Sequence, residues 1–143
     1  MSSTRRDFIK TASAIAAGTA LPLEGFAIGR TKTAPNDRIN VALIGGNGMG
    51  WSDLESFLKN PEVECAALCD VDRNILNKRT DDLIKMGRPR PKLYIDYRNM
   101  LENKDIDVVI IATPDHWHCL MLCDSLETGK HAYLEKPIGN SIA

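Results

Sequence analysis

The chain has 143 residues, enough for one domain with a sizeable core. Its formal net charge is −1, and no long Lys/Arg cluster interrupts it, so a nucleic-acid role has no electrostatic support. With 43% hydrophobic and 26% charged residues, the composition is that of a globular protein rather than a disordered one.

Residues 1–27 read as an export signal rather than as fold. The charged segment Thr4-Arg5-Arg6-Asp7-Phe8-Ile9-Lys10 precedes an Ala-rich apolar run from Thr11 to Leu23, broken by Gly18 and Pro22. That run is too short to span a bilayer comfortably. Charge, short apolar stretch and the small residues of Gly25-Phe26-Ala27 give the order of a cleavable signal. The segment resembles a twin-arginine signal, with Ile9 where Leu is usual. This resemblance implies the twin-arginine translocation machinery as a partner, folding before export, and a periplasmic destination. Retention as an uncleaved anchor is the alternative. Residues 28–36 follow as a polar linker, and residues 37–143 form the domain.

Within the domain, strand and helix signals alternate. Ile39 to Ile44 is a short apolar, β-branched run, read as a buried first strand. Leu54, Phe57 and Leu58 at helical spacing predict a helix from Gly50 to Lys59, ended by Asn60-Pro61. Val63 to Cys69 is a second strand. Asp72 caps a helix that runs to Met86, with Gly87 as its stop. Lys92 to Ile95 is a third strand, and Asp96 caps a small helix through Leu101. Asp107 to Ala112 is a fourth strand, a helix from about Asp115 to Thr128 closes at Gly129, and His131 to Leu134 is a fifth strand. This alternation predicts an α/β, Rossmann-type doubly wound parallel sheet with strand order 3-2-1-4-5.

The four cysteines fall as Cys65/Cys69 and Cys119/Cys123. Cys65 and Cys69 lie in a predicted strand, where residues four apart share a face about 13 Å apart, too far for one zinc ion. Cys119 and Cys123 share a helix face, where free cysteine packs as a small hydrophobe. No metal site is expected.

In a doubly wound sheet, ligands bind beyond the carboxyl ends of the strands. Four motifs fall there. The first is Gly45-Gly46-Asn47-Gly48-Met49-Gly50, a dinucleotide-type glycine turn in the frame Gly45-x-Asn47-x-x-Gly50. Asn47 stands in place of the second glycine. It tolerates left-handed backbone angles, though its side chain takes up room. The amides of Gly48, Met49 and Gly50 open a helix, ready for an anion. The second motif is Cys69-Asp70-Val71-Asp72. Asp70 lies 25 positions after Gly45, near the spacing of the acid that holds an adenine ribose. A carboxylate there favours NAD over NADP; Arg73 beside it could stack on adenine or meet a phosphate.

The third motif is Thr113-Pro114-Asp115-His116-Trp117-His118, where Pro114 stops the strand ladder. His116 and His118 could chelate a metal, but no third ligand is obvious. The fourth is Glu135-Lys136-Pro137. Pro137 biases Lys136 toward extended backbone. A lysine partly desolvated beside a nicotinamide ring could move protons.

Together these residues closely resemble the N-terminal dinucleotide-binding domain of the Gfo/Idh/MocA oxidoreductases, over about residues 37–143. The resemblance implies that Lys136 is the catalytic lysine and that Glu135 lies by the nicotinamide ribose. It also implies that Thr113, Pro114 and His118 line the cofactor cleft. It further implies a second α/β domain, absent from this sequence, that would supply much of a sugar pocket and the sheet through which such proteins form homo-oligomers. Without it, the chain is expected to bind NAD without efficient turnover.

The expected activity is hydride transfer between nicotinamide and a sugar or polyol carbinol, with Lys136 relaying the hydroxyl proton. One alternative is an NAD-dependent glycosidase that oxidises its sugar transiently, since some relatives work in that way. Another is a non-catalytic nucleotide-binding fragment.

Overall fold

The computed structural model describes residues 38–140. The residues read from sequence as an export signal and linker lie outside them. Five strands, β1 (Ile39–Ile44), β2 (Val63–Cys69), β3 (Lys92–Tyr94), β4 (Val108–Ile111) and β5 (His131–Leu134), form one sheet in the order β3-β2-β1-β4-β5. Every pairing is parallel, so all five carboxyl ends share one edge. Helices α1 (Gly48–Phe57), α2 (Arg73–Lys85), α3 (Tyr97–Leu101) and α4 (His118–Glu127) make the crossovers. A 3-10 turn over Asp115–Trp117 leads into α4. No helix among the described residues is long and apolar enough to cross a membrane.

The core has two layers because the central strands are buried on both faces. On one face, Trp51, Leu54 and Leu58 of the α1 segment and Leu76 and Leu83 of α2 pack on Val41, Leu43 and Ile110. On the other, Tyr97, Met100 and Leu101 of α3 and Met121 of α4 pack on Ala42, Ile44, Val109 and Ile111. Full burial of each such aliphatic side chain stabilises the fold by about 1.5–3 kcal/mol before entropy is charged. Asp72 and Asp96 cap α2 and α3 as expected, accepting from the N–H groups of Asn74 and Arg98.

One irregularity reverses an expectation. Val41 pairs with Cys65 but Ala42 pairs with Ala67, so Ala66 is an extra residue in β2. This bulge resets the side-chain alternation. Cys65 therefore joins the α1–α2 face and Cys69 the opposite one, instead of sharing a face. Burial pushes both thiols up to about 12. Cys119 and Cys123 also depart from expectation: both are exposed on α4 rather than packed in the core.

Candidate functional site

The loop after β1 is held closely by its neighbours at the carboxyl edge. Gly45 has φ +90, and a Cβ there would stand 2.6 Å from the Ala112 carbonyl oxygen, so only glycine lets the loop lie against β4. Gly50 is equally confined: its Cβ would meet the Gly45 carbonyl oxygen at 2.1 Å. The left-handed turn residue is Gly48, at φ +49, not Asn47, which is extended at φ −105. The helix accordingly opens two residues earlier than its apolar spacing implied. Asn47 makes no side-chain cap bond and the first turn of α1 carries no acidic residue. The amide end of the helix is thus left positive, as an anion site requires.

Two side chains clamp this loop from β2 and α2. Asp70 Oδ2 accepts from the Gly46 N–H at 2.9 Å, and its Oδ1 accepts from the Asp72 N–H at 2.9 Å. Arg79 Nε donates to the Gly46 carbonyl at 2.8 Å. The Arg79 guanidinium is itself held by Asp82 at 3.0 Å and lies 4.5 Å from the Trp51 ring centroid. Each peptide group of Gly46 is therefore fixed by an ionised partner, the stronger sort of hydrogen bond.

A cleft of about 650 Å³ runs along the edge from this loop. Gly45, Asn47, Asp70, Thr113 and Pro114, all expected there from sequence, line it. Its far end, between the β2 and β3 loops, is walled by Ile75, Ile95, Tyr97 and Arg98. Arg73, expected at that end, is an exposed first residue of α2 and does not line the cleft; Arg98 supplies the guanidinium instead, 4.5 Å from the Tyr97 ring. Gly48, Met49 and Gly50 sit in the first turn of α1 behind the cleft wall, with Met49 exposed and Gly50 buried.

His118 is not a lining residue. It is 2% exposed, with Nδ1 2.6 Å from the Pro137 carbonyl oxygen and Nε2 2.7 Å from that of Thr113. The family resemblance implies a place in the cleft lining; the structure turns it inward, because it shares the buried stripe of α4 with Met121 and Ser125. His116 stays exposed, 3.8 Å from Asp115, so the two histidines do not converge. Among the described residues no group of three His, Cys, Asp or Glu side chains stands close enough to hold a metal ion.

Glu135 and Lys136 close the opposite end of the edge. The Glu135 N–H donates to the Ile111 carbonyl at 3.0 Å, continuing the ladder one residue past β5. Glu135 also accepts from the Tyr133 hydroxyl at 3.3 Å. Burial, and then the charge of Glu135, raises the Asp53 carboxyl above its usual range. Lys136 is exposed, so the partial desolvation expected of it is not provided by the residues around it here. Asp70 and Lys136 stand at the ends of β2 and β5, three strand spacings or about 14 Å apart along one edge. An elongated ligand is needed to meet both.

A parallel sheet with this strand order, a glycine turn feeding an uncapped helix, and a carboxylate after the second strand define a dinucleotide-binding Rossmann domain. The comparisons narrow it further. Residues 39–143 match the family described as "Oxidoreductase family, NAD-binding Rossmann fold", Gfo/Idh/MocA. The chain belongs to that family.

Among its relatives, "Glycosyl hydrolase family 109 protein 1" of Shewanella sp. (strain ANA-3) is 32% identical over 96% of this chain and 34% of its own length. An "Alpha-N-acetylgalactosaminidase" of Shewanella oneidensis is 31% identical over the same shares. Among solved structures, a myo-inositol dehydrogenase from Lactobacillus casei in complex with NAD(H) and myo-inositol superposes with a TM-score of 0.64 at 25% identity. That match covers 71% of this chain and 29% of the dehydrogenase. The chain thus spans about a third of the length of the curated relatives it matches. The glycine cradle, the uncapped helix end and Asp70 all fit NAD, and NAD is the cofactor of this domain.

Proposed function

We propose that this domain is the cofactor-holding part of an exported enzyme that acts on a sugar or polyol. The observation that carries the reading is the double clamp on Gly46 by Asp70 and Arg79. It fixes the turn beneath the pyrophosphate position before any ligand arrives, which lowers the ordering cost of binding. The Asp70 carboxylate, already oriented by two N–H groups, keeps lone pairs for ribose hydroxyls and repels a 2′-phosphate. NAD is therefore favoured over NADP.

Bound NAD supplies a hydride acceptor. Lys136, at the other end of the edge, takes the hydroxyl proton as the carbinol C–H bond gives up its hydrogen with the electron pair, leaving a ketone. Thr113 and Pro114 wall the cleft between the two ends. The full-length enzyme would act as a homo-oligomer, as the family resemblance implies, after passage through the twin-arginine machinery, as the N-terminal segment implies.

A second reading has its own support: the curated relatives carry glycoside hydrolase names. On that reading the sugar is oxidised only transiently, the aglycone is eliminated, and the ketone is reduced again. Product analysis separates the two. Incubation of the full-length enzyme with a glycoside releases aglycone without net NADH on the hydrolase reading. With a free sugar or polyol it accumulates NADH on the dehydrogenase reading. For the chain itself, calorimetric titration must show NAD binding with NADP weaker; no heat with either would refute both.

A further inference from the structure

We propose that His118 is a positioning residue that fastens the Glu135-Lys136-Pro137 turn to the loop after β4, so that the placement of Lys136 at the carboxyl edge of the sheet depends on one imidazole. The inference rests on the reading of Lys136 as the group that moves the substrate proton.

The sheet itself does not hold Lys136. The parallel ladder ends at Glu135, whose N–H meets the Ile111 carbonyl. From Lys136 to Asn140 every residue is exposed, Ile138 by 65%. Among the described residues, the one hydrogen bond to this segment is between His118 Nδ1 and the Pro137 carbonyl, at 2.6 Å. The turn would otherwise swing freely about the end of β5.

The other edge of the same ring is anchored at Thr113, whose carbonyl lies 2.7 Å from Nε2. Thr113 lines the cleft and its hydroxyl is in turn 3.6 Å from Met121 Sδ. His118 thus spans from the wall of the cofactor cleft to the lysine turn, and its 2% exposure keeps water from replacing either contact.

The residue type is specific to that span. Both partners are carbonyl oxygens, which only accept, and the ring donates to the Pro137 carbonyl when its N–H sits on Nδ1, with Nε2 then packed against the Thr113 carbonyl. The two nitrogens of an imidazole ring point to opposite sides of one rigid ring, so a single side chain meets both segments at once. A glutamine or asparagine amide has no rigid ring whose opposite edges reach both segments at once.

The test uses the 143-residue chain. In a 15N-labelled sample, Nδ1 of His118 is expected to carry the ring N–H. Backbone relaxation is then compared with that of His118→Gln. The order parameter at Lys136 and Ile138 should fall from about 0.85 to below about 0.6, while Val109 and Ile110 in β4 stay rigid. A bare Nδ1 in the wild type, or unchanged order parameters at Lys136 in a folded variant, would overturn the assignment. Should the glutamine variant fail to fold, the wild-type ring signal decides alone. An NAD titration on the same samples keeps the two readings apart. Absence of NAD binding defeats the proposed function, whereas the ring and relaxation results bear on His118 alone.

Discussion

Asp70 and Gly46 are joined by a hydrogen bond of 2.9 Å from the glycine amide to the carboxylate, which ties the end of β2 to the turn after β1. The residue read as the ribose acid is therefore also a structural member of the loop. Asp70→Asn puts an amide NH2 against the N–H of either Gly46 or Asp72, where only an acceptor fits. One N–H, part-buried at Gly46 or exposed at Asp72, loses a hydrogen bond to a charged acceptor, worth about 1.5–3 kcal/mol. NAD affinity measured by calorimetry should fall at least about tenfold, in line with that cost. The preference over NADP should narrow, because the repelling charge is gone. Unchanged NAD affinity would remove Asp70 from the site.

The two glycines of the α1 turn should respond differently to the same substitution. Gly50→Ala drives a Cβ to 2.1 Å from the Gly45 carbonyl and 2.9 Å from the Ala112 Cβ, so the helix must lift off the sheet. A loss of about 3 kcal/mol is expected, the upper end for overpacking. At Gly48 a Cβ meets nothing within 4 Å and only the φ of +49 is unfavourable. Gly48→Ala should cost about 1–2 kcal/mol. Thermal melts of both variants check this, with Gly50→Ala melting well below Gly48→Ala.

Lys136→Met separates binding from chemistry. The side chain is exposed and outside the cleft, so stability of the domain and its NAD affinity should hardly change. In the full-length enzyme, turnover should fall by about 10²–10⁴-fold, the usual worth of a positioned acid or base. A variant that keeps its turnover would take Lys136 out of the mechanism.

Much of this was legible in the sequence because the signals were local. The Val-Val-Ile-Ile run of β4, the Asp72 and Asp96 caps and the glycine stops each name one element, and their alternation fixes the strand order. The bulge at Ala66 was not legible: a strand buried on both faces has no apolar–polar alternation whose break would reveal it. Arg79 and Arg98 were missed because charges on helices read as solvated faces, yet their long stems carry them back to a loop and a cleft. His118 belongs instead to the buried face of α4. Its spacing to Met121 and Ser125, three and seven residues on, is that of a buried helix stripe.

The link between α3 and α4 has an alkaline limit. The Tyr97 hydroxyl donates to Asp124 Oδ2 at 2.6 Å, and burial together with that bond pushes the phenol up to about 12 from 10.0. A phenol whose proton is held more tightly in the folded state stabilises the fold fully below the unfolded value. Above pH 10 the unfolded chain binds fewer protons, so stability falls as pH rises through the window from 10 to 12. Tyr97→Phe should lose about 1 kcal/mol at neutral pH and show a shallower decline across that window. Denaturant midpoints measured across it decide the matter; parallel curves for the two proteins would mean another group is responsible.

The four thiols should divide two and two. Cys65 and Cys69 lie on opposite faces of β2, each buried, with their thiols pushed up to about 12, so they present neither surface nor thiolate to a reagent. Cys119 and Cys123 are exposed four residues apart on α4, and the neighbouring Cys119 raises the Cys123 thiol. A thiol-reactive disulfide should therefore modify Cys119 and Cys123 in the folded chain. Their reactivity should climb steeply with pH, because the nucleophile is the thiolate and the first thiolate disfavours the second. Cys65 and Cys69 should react only at the rate of global unfolding and accelerate together with denaturant. If either reacts as fast as the helix pair, β2 is not the doubly covered strand that seats Asp70, and the clamp on Gly46 goes with it.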